Sequence, residues 1–247
     1  MDNRVNKSRQ KTLAANQLTE FYHNDFVVDQ FRDFKACFTE ANKPVTGVII
    51  DIGGGVGYFA GAVKDNLGYN IRVIDMDPLS VEICNKKGID AAIGDCTTLR
   101  PKDDETVACF NLILHHLVAD SEQATKTLQA KTLLNWFGNS RRIFVNEYIY
   151  ESYIPNFSGW LIYKITSSGV LSAIGKFISR LIPSFRANTF GTGVRFRSHN
   201  EWQLIFTDEG FHVTKSIVGI DEKVDFPLRM LLIKSIRRDS FLLESTV

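Results

Sequence analysis

The chain has 247 residues, 44% hydrophobic and 23% charged, with a formal net charge of +1. That composition supports one substantial buried core, excludes an extended disordered chain and gives no global reason to expect a nucleic-acid partner. Cysteines at 37, 84, 96 and 109 lack disulfide or Cys-x-x-Cys metal spacing, so no metal is expected. No secretory leader is read, and apolar stretches break well before the ~20 residues that a bilayer span needs; the expectation is a cytoplasmic protein with reduced thiols.

In chain order, residues 1–12 are polar and basic. Leu18 to Phe38 carries apolar residues at helical spacing, rich in aromatics, and Pro44 closes this N-terminal helical cap, taken as 1–45. The core, 46–151, opens with Val48-Ile-Ile-Asp-Ile, a buried strand by length and branching, followed by glycines at 53, 54, 55 and 57. Tyr58 to Leu67 is helical up to Gly68, so the glycines occupy a strand-to-helix turn. There, residues without β-carbons permit positive φ and let backbone approach a ligand at the helix's positive end. A purely structural tight turn is the alternative. A second strand ends at Asp75 within Asn70 to Asp77, some 20 residues past the glycines, where an acid can take ribose hydroxyls. Leu79 to Lys87 is the next helix, Ala91 to Asp95 the third strand, Ala108 to Leu114 the fourth. The Ser121 to Phe137 helix and the Arg142 to Tyr148 strand follow.

Asp-x-Gly-x-Gly-x-Gly over 51–57 resembles the first motif of the class I S-adenosylmethionine-dependent methyltransferases, small-molecule type. A nicotinamide fingerprint would need glycine where Tyr58 stands, which disfavours a dehydrogenase. The resemblance covers residues 46 to 247. It implies an α/β, Rossmann-like three-layer sandwich whose seven-stranded mixed sheet ends in an antiparallel strand, with helical N-terminal and lid additions. It also implies S-adenosyl-L-methionine as cofactor. On that basis the cofactor set is Asp51, Gly53, Gly54, Gly55, Gly57, Asp75 with Met76, Asp95 with Cys96, and Asn111. Asp75 serves the ribose and Asp95 the adenine amino group, with a turn cap as the alternative for Asp95. Asn111 stands where family members often have Asp.

His115 and His116, at the carboxyl end of the fourth strand, either face the acceptor or hold the loop. Glu147 ends the fifth strand, in the site or as a solvated acid. These three are the catalytic candidates, and Tyr22, Tyr148, Trp160, Tyr163 and His199 are the substrate-binding ones. By resemblance Tyr22 and His23 line the pocket, core packing being the alternative.

Residues 152–200 contain no Asp or Glu, yet carry Lys164, Lys176, Arg180, Arg186, Arg195 and Arg197 among large apolar side chains. Helices over Phe157 to Thr166 and Val170 to Leu181 are expected. They form a lid, a peripheral membrane contact through 157–186, or a homodimer interface. The basic character favours an acidic acceptor. Residues 201–247 return to the α/β core: Ser198 and Glu201 have capping-box spacing, and Val213 to Val218 should pair antiparallel with Leu228 to Ser235. The reading is a methyltransferase for a small apolar or aromatic acceptor, which can be acidic, with O-methylation favoured. A membrane-surface lipid or quinone methyltransferase and a non-catalytic cofactor-binding partner or regulator are the alternatives.

Overall fold

The computed structural model describes residues 24–39, 44–137, 142–168 and 193–245. Along them run α1 (Asn24–Thr39), β1 (Val48–Ile52), α2 (Tyr58–Leu67), β2 (Ile71–Asp75), α3 (Pro78–Lys86), β3 (Asp90–Ile93) and β4 (Glu105–Asn111). A 3-10 turn at Leu114–His116 precedes α4 (Glu122–Asn135), β5 (Arg142–Ser152), α5 (Phe157–Ser167), α6 (His199–Asp208), β6 (Phe211–Ile217), α7 (Phe226–Arg229) and β7 (Ile233–Ser245).

The strands form one seven-stranded sheet in the order β3-β2-β1-β4-β5-β7-β6. Strands β1–β5 pair in parallel, β6 shares their direction, and β7 alone runs opposite, antiparallel to both β5 and β6. The order reverses between β1 and β4, so a crevice opens at their carboxyl ends, where open α/β sheets bind ligands. This is the Rossmann-like mixed sheet expected from the sequence.

Burial explains the layering. In β1, Ile49, Ile50, Asp51 and Ile52 are all buried, as a strand covered on both faces requires. One face takes Phe34 and Phe38 of α1, Phe59 and Val63 of α2, and Cys84 of α3. The other takes Leu133 of α4, Trp136 just beyond it, and Trp202, Ile205 and Phe206 of α6. Local chemistry sets the ends. Gly57 and Gly68 bracket α2 in the left-handed region, Asp77 caps α3 ahead of Pro78, and Ser198 with Glu201 forms the expected capping box.

The closing elements differ from the sequence expectation. Phe226–Arg229 is a helical turn rather than the start of a strand, with Pro227 at its beginning. Strand β7 starts at Ile233 and runs to Ser245, pairing β5 from Ile143 to Ser152 on one side and β6 from Phe211 to Ile217 on the other. Likewise β4 stops at Asn111: Leu112 adopts φ 55, a left-handed conformation incompatible with continuing the strand. The expected Val170 to Leu181 helix, with Lys176, Arg180 and Arg186, lies outside the described residues.

Candidate functional site

At the end of β1, the glycine turn is shaped by the protein's own packing. Gly53 (φ 69) donates to the carbonyl of Ile74 at 2.7 Å, and a β-carbon there would fall 2.2 Å from Ile113 Cδ1. At Gly54 a β-carbon would lie 2.3 Å from Asp51 Oδ2. Gly57 (φ 76) caps α2, where a β-carbon would crowd Cys84 Sγ at 2.9 Å. The structural reading of the glycines therefore holds at Gly53, Gly54 and Gly57.

Gly55 links the turn to the next strand. Its N–H donates to Asp75 Oδ2 at 2.9 Å, and Asp75 Oδ1 accepts from the Asp77 N–H at 2.8 Å. Burial raises the Asp75 pKa against these hydrogen bonds. Sequence reasoning treated Gly55 and Asp75 as separate contacts; a backbone N–H aimed at an acid 20 residues away leaves no sequence signal. Met76, next to Asp75, is 38% exposed at the sheet edge. Asp95 Oδ1 accepts from both the N–H and the hydroxyl of Thr97, at 2.8 and 2.7 Å, so one oxygen organises a local turn. Cys96 is buried, which pushes its thiol up to about 12, and its carbonyl accepts from Trp136 Nε1.

Asp51 is completely buried. Its Oδ1 accepts from Asn111 Nδ2 at 3.1 Å, while Oδ2 and Asn111 Oδ1 have no hydrogen-bond partner. Burial, followed by the carboxylate of Asp75, raises the Asp51 pKa to about 7 against the opposing Asn111 hydrogen bond. Asn111 thus supports the acid with a neutral amide, where an aspartate would add a second buried negative charge.

Across the switch point, Glu147 is also fully buried. Its Oε1 accepts from the Leu114 N–H and its Oε2 pairs with His115 Nδ1, both at 2.6 Å. A carboxylate only accepts, so Nδ1 carries the proton and the bond fixes the ring's orientation. Gln129 bonds the Leu114 carbonyl and Arg195 N–H the His115 carbonyl, each at 2.9 Å, which fixes the turn. His116 lies 4.2 Å from the His115 ring; desolvation, then that neighbour, drives its pKa well below the ordinary value. Phe196 stacks on His115 (4.9 Å) and on Tyr150 (4.2 Å), with Tyr148 edge-on. Burial pushes the Tyr148 phenol up to about 12 and Tyr150 further up. Neither tyrosine is a neutral-pH base, whereas the lowered pKa of His116 leaves its ring a lone pair. Phe196 and Tyr150 escaped the sequence reading, since only the segment at 195–197 running beside β5 brings them to this wall.

The other candidates lie around this centre. Tyr163 is buried and donates its hydroxyl to the Ala119 carbonyl at 2.9 Å; Trp160 is 39% exposed. His199 Nδ1 pairs with buried Asp239 at 2.7 Å, which also accepts from Arg237 Nε and Gly219 N–H. Tyr22 and His23 lie outside the described residues. Arg195 and Arg197 correct the picture of a uniformly basic surface: both are buried, ion-paired to Glu122 and Glu201, and Arg197 Nε donates to Gln129. Acids outside the acid-free segment supply the partners. Among the described residues no cluster of ligating side chains could hold a metal, and no helix is long and apolar enough to cross a membrane.

No family model matches the chain, and no curated protein resembles it in sequence. Its fold is nevertheless similar to solved methyltransferases. A SAM-dependent methyltransferase from Leishmania major superposes with TM-score 0.58 at 12% identity, over 96% of this chain and 79% of that one. One from Thiobacillus denitrificans, in complex with S-adenosyl-L-homocysteine, gives 0.53 at 14% identity over 96% and 100%. The mitomycin 7-O-methyltransferase gives 0.52 at 15% identity; the match covers 94% of this chain and 55% of that longer one. The chain has the class I S-adenosylmethionine-dependent methyltransferase fold.

Proposed function

We propose that this protein is an S-adenosylmethionine-dependent methyltransferase acting on a small apolar or aromatic acceptor, with a hydroxyl or carboxyl oxygen as the favoured target. The carrying observation is the buried His115–Glu147 pair beside an aromatic wall, its Nδ1 bonded to the carboxylate.

The residues present fit the cofactor. Gly53, Gly54 and Gly55 form the strand-to-helix turn, Asp75 and Asp95 carry acceptor oxygens for ribose and adenine, and Asp51 has an unpartnered oxygen beneath the turn. When bound, S-adenosylmethionine supplies a methyl group activated on a sulfonium. The protein's share is alignment and dryness, since holding reactants in attack geometry is worth about 7–11 kcal/mol. His115 Nε2 accepts the acceptor's proton, and Glu147 stabilises the resulting imidazolium through Nδ1–H; general-base help of this kind contributes about 10²–10⁴-fold. The neighbouring mitomycin methyltransferase, an O-methylating enzyme by name, supports the oxygen reading.

Calorimetric titration with S-adenosylmethionine and, separately, NADH is the first test, repeated on Gly55→Arg and Asp75→Ala. Micromolar binding of S-adenosylmethionine alone, weakened by both substitutions, supports the reading and justifies a radiolabelled-methyl screen of phenols and carboxylic acids. No binding to the folded protein sinks it, and leaves a non-catalytic partner or regulator as the better account. A membrane-surface enzyme is the second reading, favoured by exposed Tyr153, Ile154 and Trp160 with Lys164 over the Trp160 ring. Co-sedimentation with anionic vesicles, lost in Trp160→Ala, would support it over a freely cytoplasmic one.

A further inference from the structure

The unpartnered oxygen of Asp51 carries an inference about how the cofactor enters. An ionised carboxylate taken wholly out of water is costly unless a cation or several hydrogen bonds compensate it. Asp51 has neither among the described residues. It has no exposed surface, its sole hydrogen bond comes from the neutral Asn111 amide, and Oδ2 lies under Gly54 with no partner.

The surroundings offer no hidden compensation. On the β2 side, Val73 is the register neighbour and Asp75 beyond it is another acid. On the β4 side the neighbour is Cys109, a buried thiol pushed well up, with Asn111 two residues on. From α3, Cys84 faces the same region, its thiol raised to about 11. Every ionisable group directed at Asp51 among the described residues is therefore an acid or a thiol. A proton on Oδ2 is the one cation such a pocket accepts without a ligand, and a ligand ammonium is its natural replacement.

We propose that Asp51 is a proton-exchange site: its carboxyl is protonated on Oδ2 in the ligand-free protein, and docking of the cofactor's cationic amino-acid end expels that proton to solvent. The O–H bond of the carboxyl breaks, its electron pair stays on Oδ2, and the proton goes to buffer; one positive charge replaces another in the buried site. Cofactor affinity then falls as pH drops below the Asp51 titration, because more of the sites hold the proton that the ligand must displace. This inference rests on the methyltransferase reading, since it takes the ammonium from S-adenosylmethionine.

Two measurements test it and separate its failure from that of the reading. Calorimetric titration with S-adenosylmethionine at pH 6.5, in phosphate and in imidazole, gives the protons released from the difference in buffer ionisation heat. With a carboxyl titrating near pH 7, roughly three quarters of a proton leaves per site in the wild type, and none in Asp51→Asn. Infrared difference spectra of the ligand-free protein at pH 6 should show a protonated-carboxyl stretch that is missing in Asp51→Asn and is lost when the wild type is saturated with S-adenosylmethionine. Binding without proton release overturns the exchange and leaves the cofactor reading standing. Absence of the carboxyl stretch overturns it whether or not the Asn variant binds or folds. If S-adenosylmethionine gives no heat and leaves the stretch unchanged, both the cofactor reading and the exchange fall.

Discussion

Replacing Glu147 with glutamine isolates what the buried carboxylate does. In the native protein both its oxygens accept at 2.6 Å, one from the Leu114 N–H and one from His115 Nδ1. Glutamine offers one acceptor oxygen and one amino group to two donors. If the oxygen stays on Leu114, the amino group meets an N–H of His115, and the imidazole must move its proton to Nε2 to accept instead. Hydrogen bonds to charged groups contribute about 1.5–3 kcal/mol against about 0.5–1.5 for neutral ones. With two bonds weakened, Glu147→Gln should lose about 2–3 kcal/mol in urea denaturation at unchanged slope. The companion readout is nitrogen NMR of His115, with the proton on Nδ1 in the native protein and on Nε2 in the variant. A cycle with His115→Phe should give a coupling of about 1–3 kcal/mol. A stability change under ~0.5 kcal/mol, the range of ordinary surface substitutions, with the same tautomer in both proteins would refute the argument that this carboxylate orients the imidazole.

Asp51 gives a pH-dependent prediction. Its folded pKa, about 7, lies well above the ordinary aspartate value, so the folded state holds the proton longer and this group's contribution to stability falls as pH rises from about 4 to about 7. Ligand-free Asp51→Asn should therefore be more stable than the native protein at pH 8, by at most roughly 4 kcal/mol, with the advantage gone near pH 4; denaturation midpoints at both pH values measure this. Gly54→Ala sets a methyl 2.3 Å from Asp51 Oδ2 and 3.1 Å from Val73 Cγ1, an overpacking cost of about 1–3 kcal/mol. That cost should shrink by at least half in an Asp51→Ala background, since the closest contact is gone. Glu201→Ala strips an acid from buried Arg195 and Arg197 and breaks the capping box, and should lower stability by about 3 kcal/mol in the same assay.

The sheet was legible because its parallel strands are continuous apolar runs closed by acids or glycines. Val48–Ile52, the glycines and the Tyr58–Leu67 helix with its Gly68 stop were read almost residue for residue. What stayed hidden depends on contacts between distant segments. Nothing local marks Leu112 for a left-handed conformation, and only the tertiary fold decides that Glu122, 73 residues away, neutralises Arg195. At Arg195 and Arg197 the acid-free stretch therefore looked more basic than it is. Asn111 looked like a departure from the family pattern; its meaning emerged only with Asp51 beside it. The strand at 233–245 was misjudged because a proline-containing turn, not a strand, fills the preceding positions.

Strand β7 also has consequences for the order in which the molecule is made. It is the last described element to leave the ribosome, yet it sits between β5 and β6 and supplies the hydrogen-bonding neighbour for both. Until residues 233–245 emerge, the β1–β4 half can gather its own contacts, while one long edge of β5 is open and β6 has no strand to pair with. An open edge of that length is a template for wrong pairing. The nascent chain is therefore most exposed to misassembly late, after the cofactor half has formed, and chain loss from the carboxyl side would strike the middle of the sheet rather than its margin.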